Sequence, residues 1–329
     1  MRCDGPMRAG SVLIQTLLLA SLLGVSELRS QDRYHDIVEH ILAEWKHADV
    51  VCLGEGHGRL YDSELRIALV RHPGFPRIVR AIVVEFANPI HQELLDRFSL
   101  DTAAMSRRDL SVVWRDASTG IDVWESPIYE EFFRAVQAVN KRLDRPNRVR
   151  LIAGDTRIPW DEIRTPEQLL PLMNRGDDIN KVIATQLLDQ HIKGLAIYGS
   201  GHCATYEDEE GEGGFPARLA NHYGYARARM WGIGPFTAKA RPIFGLGETP
   251  TYVVLSGQAA ASQRAEGVFG RIGSTLPARQ VFDAAVYHGN VTDSIVWTDT
   301  VTLNREYGKI LQHRDSLRRA AIRLRSGQR

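Results

Sequence analysis

The chain has 329 residues, of which 43% are hydrophobic and 25% are charged. This composition is typical of a globular protein with a substantial core, and it excludes a disordered or low-complexity chain. The formal net charge is +1. It falls to zero when the N-terminal segment described next is removed, so the mature chain has no long-range attraction for nucleic acid or anionic lipid, and we expect neither as a partner.

The N-terminus has the pattern of a secretory signal. Arg2 and Arg8 precede a run of almost entirely apolar or small residues over positions 12–25, and Ser30 ends a plausible cleavage site. Residues 1–30 are therefore predicted to be a signal peptide, and the mature protein is expected to be periplasmic or secreted. A short N-terminal membrane anchor is the less favoured alternative, because a span needs about 20 apolar residues. We expect no membrane span in the mature chain.

Strand and helix patterns alternate along the remainder of the chain. Helical spacing of apolar residues, or segments bounded by helix-starting residues, predicts helices over residues 34–47, 61–71, 129–143, 168–191, 218–223 and 301–324. Short apolar, β-branched runs predict strands over residues 50–53, 78–86, 149–153, 194–198, 227–233, 251–256 and 281–287. This alternation predicts a single α/β domain over residues 33–329, with a mostly parallel central sheet and helices on both faces. Residues 258–275, rich in Gly, Ala and Ser, are predicted to be a flexible loop or flap.

Four of the predicted strands end in polar residues. The carboxyl ends of parallel strands open onto one edge of a sheet, which is where ligands bind in such folds. Residues distant in sequence are therefore expected to meet in one pocket at the C-terminal strand ends. The candidates are Glu55 and His57 after the first strand, Glu85 after the second, Asp155 and Arg157 after the third, and His202 after the fourth.

These residue types suit hydrolytic chemistry. A histidine can act as a base at neutral pH, and a neighbouring carboxylate can fix its tautomer. Arg157 can bind a carboxylate or a developing oxyanion. His57, Glu85 and His202 could also bind a divalent transition metal that activates water. The structural alternatives are that Glu85 is a cap or ion-pair partner and that Asp155 and Arg157 pair with each other.

Two cysteines lie near the candidate histidines. Cys52 is five residues before His57, and Cys203 directly follows His202. The thiols would be close if both histidines line one pocket. The favoured interpretation is nevertheless a buried strand cysteine and a separate thiol at the pocket edge.

The glycine-rich motifs resemble those of the superfamily that joins erythromycin esterases, ChaN haem-binding lipoproteins and Tiki/TraB proteins. The resemblance covers roughly residues 45–290 and depends on four short blocks. They are Leu53-Gly54-Glu55-Gly56-His57-Gly58, Val83-Val84-Glu85-Phe86, Gly199-Ser200-Gly201-His202 and Phe282-Asp283-Ala284-Ala285-Val286-Tyr287.

Each branch of this superfamily implies a different use of the pocket. In the esterases the motif is Gly-Glu-x-x-His, with the histidine activating water; this chain has Gly-Glu-x-His, one residue shorter, which points towards the ChaN and Tiki branches. Tiki-like proteins imply a metal-dependent hydrolytic site at His57, Glu85 and His202. ChaN-like proteins imply haem binding, with His or Tyr as ligands. Three tryptophans are candidates to line such a pocket but are more readily explained as core or lid residues: Trp114, Trp124 and Trp160.

The sequence therefore predicts an exported hydrolase. His57 activates water, with or without a metal, to cleave an ester, amide or lactone in a small-molecule or peptide substrate. The alternatives are a protein that binds haem or another small ligand without catalysis, and an inactive family member with a structural or partner-binding role, for which the basic C-terminal helix is a candidate surface. The oligomeric state is left open.

Overall fold

A seven-stranded sheet forms the centre of the molecule. The computed structural model describes residues 33–118, 122–173, 175–208, 213–270, 272–273, 275–290, 294–296 and 305–327. The strands are β1 (Val50–Glu55), β2 (Ala81–Val84), β3 (Arg150–Ala153), β4 (Gly194–Gly199), β5 (Met230–Pro235), β6 (Thr251–Val254) and β7 (Ala284–Tyr287). Their order is β3-β2-β4-β1-β5-β7-β6, and every neighbouring pair is parallel except β6 and β7. The predicted α/β fold with a mostly parallel sheet is confirmed.

Helices cover both faces of this sheet. The described helices are α1 (33–44), α2 (Leu60–Arg71), α3 (Phe75–Ile78), α4 (Gln92–Ser99), α5 (Arg107–Leu110), α6 (Val112–Arg115), α7 (Pro127–Asn140), α8 (Pro166–Leu169), α9 (Arg175–Ile183), α10 (Phe215–Tyr223), α11 (Ala240–Phe244), α12 (Glu266–Phe269), α13 (Ala278–Val281) and α14 (Arg305–Gly327). Along β1, Val51 and Leu53 belong to one buried apolar cluster, whereas Val50 and Cys52 belong to another. Because successive strand side chains point to opposite faces, the two clusters are the cores above and below the sheet.

Several predicted boundaries and one predicted loop differ from the structure. β2 covers only Ala81–Val84 of the predicted strand over residues 78–86, and the predicted helix over residues 168–191 is divided into shorter helical pieces. β1 continues through Gly54 to Glu55 instead of stopping at the glycine. Val281 ends a short helix, and the last strand begins only at Ala284. The predicted flexible loop over residues 258–275 contains α12 and buries Val268 and Phe269. The flap prediction was therefore wrong for this part, because its few apolar residues insert into the core despite a loop-like composition.

The C-terminal helix packs on the domain through a basic residue. Arg314 in α14 is only 8% exposed, donates from Nη2 to Oδ1 of Asp116 at 2.7 Å, and lies over the ring of Trp160. Arg314 is therefore packed against the domain and is not part of an exposed basic surface. Residues 301–304 of the predicted helix and the predicted signal peptide over residues 1–30 lie outside the described residues. None of the described helices is long and apolar enough to cross a membrane.

Cys52 and Cys203 form a disulfide, with their Cα atoms 5.4 Å apart. The favoured interpretation of two separate thiols was wrong, because the chain folds back after β4. The turn formed by Ser200–Cys203 crosses the end of β1, and Ser200 Oγ donates to the carbonyl of Glu55 at 2.9 Å. Cys203 is thereby brought over the strand that carries Cys52.

Candidate functional site

Three adjacent strands bring the candidate histidines and glutamates together. β1 and β4 pair in a register that sets Glu55 opposite Gly199. On the other side of β4, the strand register of β2 continues into a bond from Glu85 N to the carbonyl of Ile197 at 3.0 Å. The C-terminal ends of β2, β4 and β1 therefore carry Glu85, His202 and His57 along one edge, as the sequence predicts.

Glu55 and His57 form a hydrogen-bonded pair. Oε1 of Glu55 lies 3.1 Å from Nδ1 of His57 and also accepts from the hydroxyl of Tyr129 at 3.0 Å. Its other oxygen, Oε2, accepts from Nη1 of Arg66. Glu55 is thus an acceptor on both oxygens, so the proton between the pair belongs to Nδ1 of His57. The Nε2 atom then carries the lone pair that a base needs.

Arg66 and Tyr129 donate hydrogen bonds to the carboxylate of Glu55. The sequence analysis identified neither residue. Arg66 is 1% exposed, and its guanidinium lies over the rings of Phe86, Tyr129 and Phe132 at 4.8–5.3 Å. The signal that could have identified it is an arginine among the buried residues of α2, next to Leu65 and three residues before Leu69. A buried charge needs a partner, and Glu55 is that partner.

The phenol of Tyr129 links the pair to the glycine-rich turn. It donates to Glu55 and accepts from the backbone N–H of Gly58 at 2.9 Å. Burial, followed by the negative charge of Glu55, raises the pKa of Tyr129 well above its usual value. Tyr129 therefore stays protonated and remains a donor to Glu55.

Glu85 lies between the two histidines. It is 1% exposed, and its Oε2 accepts from the backbone N–H of Gly199 at 2.6 Å. The Nε2 atom of His57 is 4.0 Å from Oε2, and that of His202 is 3.7 Å from Oε1. Both distances are longer than a hydrogen bond, so the contacts are electrostatic at this separation. Each imidazole is about one-third exposed and open to a ligand.

Trp124 forms one wall beside His57. The two ring centroids are 4.7 Å apart in an edge-to-face arrangement, and Trp124 is 2% exposed. Trp124 is therefore buried, as expected for a core residue. Its ring also restricts the orientation of the His57 imidazole. Trp114 and Trp160 are likewise buried, at 1% and 6% exposure.

Asp155 and Arg157 differ in their surroundings. Asp155 is buried, and its Oδ1 accepts from the hydroxyl of Ser118 at 2.6 Å, which ties the end of β3 to the loop after α6. Arg157, two residues later, has an exposed side chain. β3 is separated from β4 by β2. Asp155 therefore has a structural role, because its carboxylate binds the loop after α6. The side chain of Arg157 is accessible to a ligand.

The side chains do not form a metal-binding group in this geometry. In the part of the chain that the structure describes, no set of three or more His, Cys, Asp or Glu residues has the arrangement to hold a metal ion. Metal ligands such as His and Glu lie about 2.0–2.2 Å from zinc, so both imidazoles would have to be re-aimed together with Glu85. The metal assignment to His57, Glu85 and His202 therefore stays a prediction of the sequence.

At the level of sequence, the chain matches no protein-family model and no curated protein. Solved structures do match in three dimensions. A protein from Bacillus cereus superposes with a TM-score of 0.54 at 12% identity, over 78% of this chain and 92% of that chain. A variant of the erythromycin esterase EreC in its open conformation superposes with a TM-score of 0.51 at 10% identity, over 79% and 94%.

A third structure, the haem-binding ChaN of Campylobacter jejuni, matches at a TM-score of 0.43 and 11% identity, over 77% of this chain and 91% of that chain. The resemblance predicted from the motifs is confirmed as a shared fold, while these identities are too low to transfer an activity. This chain therefore has the α/β fold of an erythromycin esterase, with two histidines and two glutamates gathered at the carboxyl edge of its sheet.

Proposed function

We propose that this chain is an exported hydrolase that cleaves an ester, amide or lactone bond with a water molecule activated by His57. The observation that carries the proposal is the bond between Glu55 and Nδ1 of His57, which leaves Nε2 of a partly exposed imidazole as the basic atom. A carboxylate and histidine arranged in this way orient the ring and stabilise the imidazolium that forms during proton transfer.

In the proposed reaction, Nε2 of His57 removes a proton from water while the water oxygen attacks the carbonyl carbon of the substrate. The imidazolium then returns the proton to the leaving alcohol or amine as the bond to the carbonyl carbon breaks. Glu55 remains ionised throughout, because Arg66 and the hydroxyl of Tyr129 both stabilise its negative charge. The step needs no oxidant and no covalent intermediate.

Glu85, His202 and Arg157 have supporting roles in this proposal. Glu85 provides a buried carboxylate near both imidazoles, which would stabilise the imidazolium that forms on His57 during proton transfer. His202 acts in this proposal as a second base, acid or ligand. Arg157 is an exposed cation that follows β3. In this proposal it binds an anionic substrate group or the developing oxyanion.

The test is loss of turnover in His57→Ala. We expect wild-type protein to hydrolyse p-nitrophenyl acetate or another member of an ester, lactone and amide panel, and His57→Ala to lose about 100-fold or more of that rate. The matched control is His222→Ala, since His222 also pairs with a carboxylate, Glu207 at 2.8 Å, but on an exposed helix. Equal rates in wild type and His57→Ala, with both proteins folded by circular dichroism, would exclude the mechanism.

Metal analysis and haem titration separate the other predictions. Protein purified without chelator should carry one equivalent of a transition metal, lost in His57→Ala and His202→Ala, if the Tiki-like prediction holds. A Soret band on addition of haem would instead support the ChaN-like alternative. Export is tested by the N-terminal sequence of the mature protein, which should begin after residue 30.

A further inference from the structure

Gly56 separates the two members of the proposed catalytic pair. Glu55 and His57 are two residues apart, and their side chains meet at 3.1 Å between Oε1 and Nδ1. A glycine between them leaves the backbone less restricted than any other residue would, because it has no Cβ atom. The geometry of the pair therefore depends on groups outside this short segment that fix its main chain.

The peptide between Glu55 and Gly56 is held at both of its polar atoms. Its carbonyl oxygen accepts from Oγ of Ser200 at 2.9 Å, and its N–H donates to Oδ2 of Asp62 at 2.8 Å. Ser200 belongs to the turn after β4, whereas Asp62 lies in the first turn of α2. Both side chains are buried, so water competes little for these bonds. Two separate elements thus set the orientation of one peptide.

Asp62 is in turn fixed by the residue that follows the last strand. Its Oδ1 lies 2.9 Å from Nε2 of His288, and Nδ1 of His288 lies 3.1 Å from the hydroxyl of Tyr34. Burial raises the pKa of Tyr34 above its usual value, so the phenol keeps its proton and donates it to Nδ1. The proton of the His288 ring is then on Nε2, where Asp62 accepts it. Asp62 thus offers one oxygen to His288 and the other to Gly56.

The main chain after His57 is also bonded to other elements. The N–H of Gly58 donates to the hydroxyl of Tyr129 at 2.9 Å, and the carbonyl of Gly58 accepts from the N–H of Val296 at 2.8 Å. The backbone is therefore held both before and after His57. Of these bonds, the two on the peptide between Glu55 and Gly56 act between the members of the pair.

We propose that Ser200 and Asp62 are positioning residues for His57, because together they fix the peptide between Glu55 and Gly56 and so keep Nδ1 of the imidazole within hydrogen-bonding distance of Glu55. The inference rests on the proposed function, since it identifies the groups that orient the base of that reaction. Both residues act through the backbone and not on the substrate.

The first test identifies the ring nitrogen of His57 that carries the proton, and it needs no substrate. Proton–nitrogen correlation spectra of protein labelled with ¹⁵N in histidine distinguish the two tautomers at a pH where the imidazole is neutral. The signals of His57 are assigned by their absence in His57→Ala. Wild-type protein should show the form with the proton on Nδ1, because Glu55 accepts it there. Any other form in the wild type would overturn the proposal.

Ser200→Ala removes the donor to the carbonyl of Glu55. A neutral histidine that is free of its carboxylate favours the proton on Nε2, so this form should appear in the variant. Ser99→Ala is the matched control, since Oγ of Ser99 is also buried and donates to a backbone carbonyl, that of Leu95 at 2.8 Å in α4. It should leave the tautomer of His57 unchanged. Circular dichroism verifies that each variant is folded.

Two substitutions of Asp62 distinguish an acceptor from a charge. Asp62→Ala removes the acceptor for the N–H of Gly56 and should change the tautomer of His57 as Ser200→Ala does. In Asp62→Asn the amide oxygen still accepts from Gly56, and the amide N–H donates to His288 in its other tautomer. Asp62→Asn should therefore retain the proton on Nδ1 of His57. Equal changes in Asp62→Ala and Asp62→Asn would contradict a role through the bond to Gly56.

Turnover provides the second measurement. Ser200→Ala should lower kcat for ester hydrolysis by about tenfold and leave KM nearly unchanged, because a misplaced base affects the chemical step. Ser99→Ala should change neither constant. A tautomer that is unaltered in folded Ser200→Ala would overturn the positioning role, even if hydrolysis depends on His57. If the tautomer changes as expected while no substrate is hydrolysed, the positioning role stands and the proposed function fails.

Discussion

Gly199 and His57 are in such close proximity that no side chain fits between them. A Cβ atom built on Gly199 would lie 2.9 Å from Cε1 and 3.0 Å from Nε2 of the imidazole. The ring of His57 therefore occupies the space that a side chain at the end of β4 would take. The absence of a side chain at Gly199 thus leaves room for the imidazole of His57.

This proximity predicts that Gly199→Ala impairs catalysis more than it impairs folding. The methyl group would displace the imidazole from Glu55 and Glu85, and a misplacement of about 1 Å can reduce a rate by about 100-fold. The rate of ester hydrolysis should therefore fall while the melting temperature changes little. Gly201→Ala is the control, since nothing lies within 4 Å of a Cβ atom there. A similar loss of hydrolytic rate in Gly199→Ala and Gly201→Ala would mean that activity depends on the conformation of the turn and not on the contact with the imidazole.

The buried pair of Glu55 and Arg66 predicts a strong coupling in stability. Arg66→Met leaves a buried carboxylate without its cation, and Glu55→Gln leaves a buried guanidinium without its anion; either change should lower the free energy of unfolding by about 3–5 kcal/mol. The double variant should lose less than the sum of the two, because it contains no unpaired charge. Urea unfolding of all four proteins measures this coupling.

An exposed ion pair provides the comparison. Asp101 and Arg145 are 49% and 70% exposed, so Asp101→Asn should change the free energy of unfolding by less than about 1 kcal/mol. Additive effects of Glu55→Gln and Arg66→Met would contradict the view that the two side chains act as one unit. In that case Glu55 would orient His57 without help from Arg66.

The sheet and the identity of its polar strand ends could be predicted because they depend on local patterns. Apolar runs such as residues 50–53 mark buried strands, and alternation with helices implies parallel pairing. The convergence of His57, Glu85 and His202 then follows from one general property of parallel sheets. This property does not say which strands are neighbours, so it could not show that Asp155, which follows the edge strand β3, would bind Ser118 instead of joining the histidines.

The supporting side chains could not be predicted because they depend on how distant elements pack. Arg66 and Tyr129 lie on α2 and α7, and only the packing of these helices brings both to Glu55. The disulfide escaped prediction for the same reason, since it depends on the direction in which residues 200–203 leave the sheet.

The disulfide predicts a second, independent effect on stability. It closes a loop between residues separated by 151 positions. Removing such a constraint should lower the free energy of unfolding by about 2–5 kcal/mol. The Cys52→Ala/Cys203→Ala variant should show this loss by urea unfolding, and its stability should no longer respond to a reductant. Because Cys203 follows His202, the hydrolytic rate should also fall. Unchanged stability of the wild type after complete reduction would contradict the prediction.

The hydrogen-bonded carboxylate of Asp116 predicts a pH-dependent attachment of the C-terminal helix. Asp116 lies 2.7 Å from His91 on one oxygen and 2.7 Å from Arg314 of α14 on the other. Burial by itself raises the pKa of Asp116, but the bonds from His91 and Arg314 outweigh it and lower the pKa below its usual value. A carboxylate with a lowered pKa contributes stability that is present above the pKa of the unfolded chain, about 4, and is lost as the pH falls through the folded value.

We therefore expect Asp116→Asn to lower the free energy of unfolding at neutral pH by about 1–3 kcal/mol, since His91 and Arg314 both lose their anionic acceptor. The difference between wild type and variant should shrink as the pH falls below about 4, where the wild-type carboxylate becomes protonated. Urea unfolding at a series of pH values measures this convergence. A difference that stays constant down to the acid limit would contradict the prediction, because a contribution from the ionised carboxylate of Asp116 must disappear once that carboxylate is protonated.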